Sequence, residues 1–196
     1  MSQSTFNNGD THLQARTAIN ANATDAESRL AVLEAQDRGW ANFADSQYTV
    51  GSPLSLNAGN SYRVKLTNDG LRAGSSTAEW PIGLTLPWDT VTNKLIGTGD
   101  GDKFTYRLNF KAQDGAASVL LDIIFDIGGA IGEISRRSQS IAKGASIETS
   151  IEAYSSYFTG ATFVANGGEI FLDASFSSND VDIWEISLLI EKTYTA

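Results

Sequence analysis

The chain has 196 residues, enough for one compact domain with some fifty residues to spare, and it contains no cysteine, so disulfides, thiolate catalysis and cysteine-bound metal are excluded. A single histidine, His12, and a single methionine, Met1, leave almost no room for Ser-His-Asp or haem chemistry. The formal charge of −9, from 14 basic and 23 acidic residues, opposes binding to nucleic acid and to anionic lipid.

No stretch approaches the ~20 apolar residues that a membrane helix needs, and no basic-then-apolar segment marks an export signal. The reading is a soluble chain, without membrane insertion or nucleic acid, held together by its core or by association with other chains.

Residues 1–10 are polar and read as a flexible N-terminal arm. Residues 11–39 read as a helix: Thr11 to Arg38 is free of proline and glycine and rich in alanine, and Gly39 is a plausible C′ stop. Two capping boxes compete for its start, Thr11 with Gln14 and Thr24 with Glu27, so the helix begins near Thr11 or near Asp25.

Ile19, Ala23, Ala26, Leu30, Leu33 and Trp40 occupy alternating d and a positions of a heptad repeat, broken only by Asp37. A single amphipathic helix docked on its own domain shows the same spacing. Arg29 at g and Glu34 at e flank the leucines in Arg29-Leu30-Ala31-Val32-Leu33-Glu34, which resembles the R-h-x-x-h-E signature of short parallel trimeric coiled coils. Arg29 can lay its methylenes over the seam while its guanidinium reaches Glu34 of a neighbouring chain. The expected trimer interface is therefore Ile19, Ala23, Ala26, Arg29, Leu30, Leu33 and Glu34. His12 extends the register at a d position and reads as a seam or surface residue, not a metal ligand.

Residues 40–196 change character, with frequent Gly, Ser, Thr and Asn and short alternating runs that predict a mainly β domain, an antiparallel jelly-roll β-sandwich. Tyr62, Val64 and Leu66 alternate with polar neighbours, as do Phe104, Tyr106, Leu108 and Phe110, and Ile170, Leu172, Ala174 and Phe176. Val119 to Ile127 and Ile183 to Ile190 carry apolar residues on both faces, which favours cover by another subunit over cover by a loop. Turns are expected at Asn68-Asp69-Gly70, Asp100-Gly101-Asp102, Asp114-Gly115, Asn166-Gly167-Gly168 and Ser178-Asn179-Asp180.

Sites of chemistry are few. Residues 97–102, Gly-Thr-Gly-Asp-Gly-Asp, lack the bidentate Glu of a calcium loop and read as a hairpin tip. Residues 128–132 have the wrong glycine spacing for a dinucleotide fingerprint. No carboxylate pair stands out for glycoside hydrolysis, so no enzyme, cofactor or metal is expected. Trp80, Trp88 and Asp89, beside Pro81 and Pro87, are a candidate ligand contact in which indoles stack on sugar rings; the competing reading is that both tryptophans plug the core.

The helix with Arg-Leu-x-x-Leu-Glu, running into a β domain that begins Gly39-Trp40-Ala41-Asn42-Phe43 and ends in the strand Ile183 to Tyr194, resembles trimeric fibre and decoration proteins of tailed bacteriophages. Residues 157–168 and Leu86-Pro87-Trp88-Asp89 also look like phage virion sequence, and the head is similar to C1q- and TNF-like jelly rolls. The resemblance implies a homotrimer in the virion, anchored through residues 1–22 to the major capsid protein or another virion component, with the β heads outward. It departs from long tail fibres in lacking shaft repeats, which favours a short head fibre or capsid decoration. The alternative it implies is a tail fibre that recognises host surface carbohydrate.

Overall fold

The computed structural model describes residues 12–45, 47–66, 77–81, 83–114, 119–128, 131–142, 148–175 and 180–194. The expected arm at 1–10, Thr11, Phe176, the turn at Asn68-Asp69-Gly70, and parts of the turns at 114–115 and 178–180 lie outside them.

Helix α1 runs without interruption over His12–Asp37. The second capping box does not form: the Thr24 hydroxyl donates back to the Asn20 carbonyl at 3.0 Å, a bond made only inside a continuing helix. Gly39 is the first residue of strand β1 (Gly39–Ala44) and not a C′ stop. It is glycine because of a close approach, since a Cβ there would collide with the Glu79 carbonyl and the Pro81 ring. Trp40 consequently leaves the heptad and joins β1.

The remaining strands are β2 (Leu54–Leu56), β3 (Ser61–Arg63), β4 (Trp88–Asp89), β5 (Lys94–Leu95), β6 (Lys103–Gln113), β7 (Val119–Asp126), β8 (Glu133–Ile141), β9 (Thr149–Phe158), β10 (Glu169–Asp173) and β11 (Val181–Tyr194). One sheet has the order β1-β11-β6-β9, with β2 also on β11, and the other β3-β10-β7-β8; β4 and β5 form a small hairpin. Every pairing is antiparallel. The pairings are nested, β1 with β11, β3 with β10, β6 with β9 and β7 with β8, which is a long hairpin wound into two facing sheets: a jelly roll.

The alternation seen in sequence sets which face is inside. Phe104, Tyr106, Leu108, Phe110 and Ala112 of β6 are buried, as are Val64, Leu66, Ile170, Leu172 and Ala174, while Arg107 and its polar companions on β6 face outward. Tyr157 is the centre of an aromatic cluster, with ring centroids 5.6 Å from Phe104, 5.1 Å from Phe125 and 5.0 Å from Phe163. Phe163 arrives on a short helix, α2 (Ala161–Asn166), which the sequence reading did not anticipate.

On the two strands apolar on both faces, part of the outer apolar surface is covered by the chain itself. In β11 a bulge sets two residues, Glu185 and Ile186, against Phe110, with Glu185 at φ 56°, so Ile186 turns inward after Ile183 while Trp184 stays on the outer side. The segment after β1 remains bonded across that bulge, Asp45 N–H to Ile186 O at 2.9 Å and Glu185 N–H to Tyr48 O at 3.2 Å, and Trp184 is only 2% exposed. Ile124 on the outer side of β7 lies between its register partners Phe171 and Arg136 and is also buried. Of the outward apolar residues on these two strands, Leu120 is exposed and Leu189 half-buried.

Candidate functional site

Alanine content and the lack of Gly or Pro make α1 a helix, about 39 Å long at 1.5 Å per residue. None of its described side chains from His12 to Leu30 is buried. Ile19 and Leu30 are 55% and 56% exposed, and Ala23, Ala26 and Arg29 are exposed beside them. Leu33 and Glu34 follow on the same helix. The alternative of an amphipathic helix docked on its own domain is therefore not realised along this stretch.

Trp80 and Trp88 are in the core. Trp80 stacks on Phe104 at 6.3 Å and 18°, and its indole N–H donates to the Thr85 carbonyl at 3.0 Å. Trp88 is 2% exposed, pairs with Leu95 across the β4–β5 hairpin, and among the described residues its indole nitrogen has no hydrogen-bond partner. Neither ring offers a face to a sugar. Asp89 serves its own turn, accepting from the Val91 N–H at 2.8 Å and the Thr92 hydroxyl at 2.5 Å, and the Thr92 and Val91 bonds hold its carboxyl below the ordinary carboxylate value.

Residues 97–102 do not form a hairpin tip, because β5 pairs with β4 and β6 with β9 and β11. Thr159 clamps the loop: its N–H donates to Asp102 O at 2.8 Å, its hydroxyl to Gly99 O, and its carbonyl accepts from Gly101 N–H at 2.6 Å. The Asp102 carboxylate, bonded by the Thr98 hydroxyl, turns inward onto Lys192.

The outer face of the first sheet is polar. Arg107 pairs with Glu152 at 3.6 Å, Lys111 with Glu148 at 2.9 Å and Glu185 at 3.4 Å, and Thr105 bonds Ser156 at 3.0 Å. Such exposed pairs add little stability, but they fix a charge pattern around a groove of about 300 Å³ floored by Leu189. A wider groove, about 440 Å³, lies where α1 meets this sheet and is lined by Arg38, Trp40, Glu79 and Glu191.

On the second sheet Arg136 gathers three carboxylates: Asp122 at 2.7 Å, Asp173 at 3.3 Å and Glu133 at 2.7 Å. Asp122 and Asp173 are direct register partners and nearly buried, so without the guanidinium they would repel. Burial pushes the Asp173 carboxyl up, yet the bonds from Ser175 and Arg136 leave it below its ordinary value. Among the described residues no group of three His, Cys, Asp or Glu could hold a metal, and no helix is long and apolar enough to cross a membrane.

The sequence reading missed this carboxylate cluster. Alternation places Arg136 and Arg137 on opposite faces of a strand, but the cluster's register to β10 spans residues far apart in the chain.

No known family profile matches the chain, and no curated protein sequence matches it. Solved structures with a similar course include the Eiger TNF of S. frugiperda, at 11% identity and a TM-score of 0.47, covering 82% of this chain and 95% of that one. The PRD1 vertex protein P5 is similar at 16% identity and a TM-score of 0.39, over 80% of this chain and 96% of that one. The BiXyn10A module CBM1 is similar at 14% identity and a TM-score of 0.36, over 76% and 87%. The jelly-roll assignment rests on the nested strand order itself.

Proposed function

We propose that the protein is a non-enzymatic structural component of a phage virion: a short trimeric head fibre or capsid decoration protein. Three α1 helices bundle along a threefold axis, the N-terminal region holds the capsid, and the jelly-roll domains face outward. The observation that carries this reading is the helix whose apolar residues Ile19 and Leu30 stand in solvent, with no described side chain from His12 to Leu30 buried by its own chain. A lone helix of this length is marginal in water, and identical copies are the simplest source of a matching stripe.

Small alanines at 23 and 26 let helices approach closely but bury little area, so the bundle is a thin joint supported by the domains beneath it. The wide groove at the base of α1, with Trp40 38% exposed among Arg38, Glu79 and Glu191, adds a second surface there for a neighbouring copy. A trimer would carry −27, three times −9, which keeps particles apart and discourages unspecific adhesion.

Light scattering of the full chain tests the reading: the expected mass is three times 21.0 kDa, and a lone 21.0 kDa species at high concentration overturns it. Replacing Leu30 and Leu33 by Asp is expected to lower that mass while the β-sheet circular-dichroism signal stays. Removal of residues 1–22 is expected to abolish incorporation into particles and leave the head folded.

A further inference from the structure

The groove at the root of α1 is built around one exposed indole and two carboxylates that their own chain does not neutralise. Trp40 and Glu191 are direct register partners on β1 and β11, so their side chains stand next to each other on the outer face of the first sheet, and both are exposed. Glu79 is brought to the same place by its backbone. The Trp40 N–H donates to the Glu79 carbonyl at 3.3 Å, and that carbonyl lies so close that residue 39 has room only for glycine. Arg38, the residue between α1 and β1, completes the lining.

The charges here do not close on themselves. Lys192 also lines the groove, but it is buried and its ammonium turns onto Asp102 at 3.2 Å. Arg38 is exposed and, among the described residues, no carboxylate lies within ion-pair distance of it; Glu79 and Glu191 likewise lack a cation. Elsewhere on the same face the cations are held within the chain, Arg107 by Glu152 and Lys111 by Glu148 and Glu185. An indole flanked by two carboxylates is a receptor for a guanidinium, which stacks on the ring while its N–H groups bond the carboxylates. At about 440 Å³ the groove has room for an arginine side chain.

We propose that the Arg38 guanidinium of one copy occupies the groove of Trp40, Glu79 and Glu191 on the next copy, so that three such contacts close a ring at the base of the helix bundle. The inference rests on the trimeric reading and deepens it, since it names the side chains by which the β domains hold one another. A free cation in the groove would satisfy the carboxylates and leave Arg38 unpaired, whereas a second copy satisfies both in one contact. Each copy gives one guanidinium and receives one, which is the donor-and-acceptor arrangement that a cyclic assembly closes. An exposed ion pair alone is worth little, but between copies this one is shielded from water by the indole, and arginine on tryptophan is a common anchor of interfaces.

The test is the concentration dependence of the native mass of the full-length protein, followed by sedimentation and light scattering. Arg38→Ala is expected to dissociate at concentrations about tenfold or more above the parent's, one charge-assisted bond per contact being worth that factor. Arg38→Glu is expected to weaken association further, and the addition of Glu79→Lys and Glu191→Lys to that variant to restore it with every contact reversed in sign. The β-sheet circular-dichroism spectrum is expected to stay the same throughout. Loss of that spectrum in Arg38→Ala would assign the residue to folding and overturn the proposal. An Arg38→Glu protein that dissociates no more readily than the parent overturns it and leaves the trimer standing, as does a reversed-charge variant that fails to reassociate. A lone 21.0 kDa species for the parent overturns both the proposal and the assembly reading.

Discussion

Lys192, near the end of the last strand, lies with its ammonium 3.2 Å from the Asp102 carboxylate, and the two side chains are only 2% and 4% exposed. The pair ties β11 to the clamped loop before β6, directly beneath the groove where α1 joins the domain. Two opposite charges taken out of water stabilise only as a pair, since either one alone is a buried uncompensated ion.

Lys192→Met or Asp102→Asn alone is therefore expected to cost about 3–5 kcal/mol, while Lys192→Met combined with Asp102→Leu costs far less than the sum of the single changes. Urea unfolding of the three variants measures the coupling. Additive losses would mean that the two groups do not act together.

What the sequence disclosed, and what it hid, follows from the range of the interactions. Alternation along β6 and β10 is a local property, so Phe104, Leu108, Ile170 and Leu172 could be assigned to the core from spacing alone. The helix was legible for the same reason, although its start was ambiguous because Thr24 can cap or bond back to Asn20 with equal local sense. The bulge at Glu185 was invisible, and without it Ile183 and Ile186 fall on opposite faces, so the strand reads as apolar on both. Lys192 with Asp102, and Arg136 with Asp122 and Asp173, join residues brought together only by sheet register. Gly39 was recognised as special, but for the wrong reason: contact with Glu79 and Pro81, not helix termination, demands it.

Gly168 offers a test of packing between α2 and the core. It exchanges two backbone hydrogen bonds with Leu95, at 2.7 and 2.9 Å, and a Cβ there would overlap the Phe125 and Phe163 rings. Gly168→Ala is expected to destabilise by about 1–3 kcal/mol through overpacking, and Gly168→Val by more. Thermal unfolding checks this; an unchanged midpoint for the valine variant would show that the aromatic cluster yields freely.

Trp80 and Trp40 should separate stability from association. Trp80→Ala removes a ring stacked on Phe104 and is expected to cost about 3–5 kcal/mol without altering any surface. Trp40 is partly exposed on the outer face of β1, so Trp40→Ala should leave the unfolding midpoint nearly unchanged and lower the native mass. The opposite pattern would reassign the groove at the base of α1 to folding.

Arg136→Ala leaves Asp122 and Asp173 facing each other with no cation between them. Because Arg136 is about a third exposed, the expected loss at neutral pH is a discounted figure of about 2 kcal/mol. Acid narrows the gap between variant and parent. The Asp173 carboxyl sits below its ordinary value in the fold, so its contribution is complete above the unfolded value near 3.9 and disappears as pH falls through the depressed one. Denaturant titrations at neutral pH and at pH near 3 should show the two proteins converging; a constant difference would place the effect in packing.

Alkali should act on the tyrosines in the opposite sense. Burial raises the Tyr106 phenol to about 12 and puts Tyr157 well above its ordinary value, whereas both ionise near 10 once unfolded. Between those values the unfolded chain sheds protons that the native state keeps, so stability is full below pH 10 and falls as pH rises towards 12. Tyr157→Phe removes one of these ionisable groups, along with a buried hydroxyl that has no hydrogen-bond partner among the described residues, and keeps the ring against Phe104 and Phe163. The variant is expected to match or exceed the parent at neutral pH and to resist alkaline unfolding better, read as tyrosinate absorbance alongside circular dichroism. If both proteins lose structure along the same alkaline curve, the buried phenols are not what sets the upper limit of the fold.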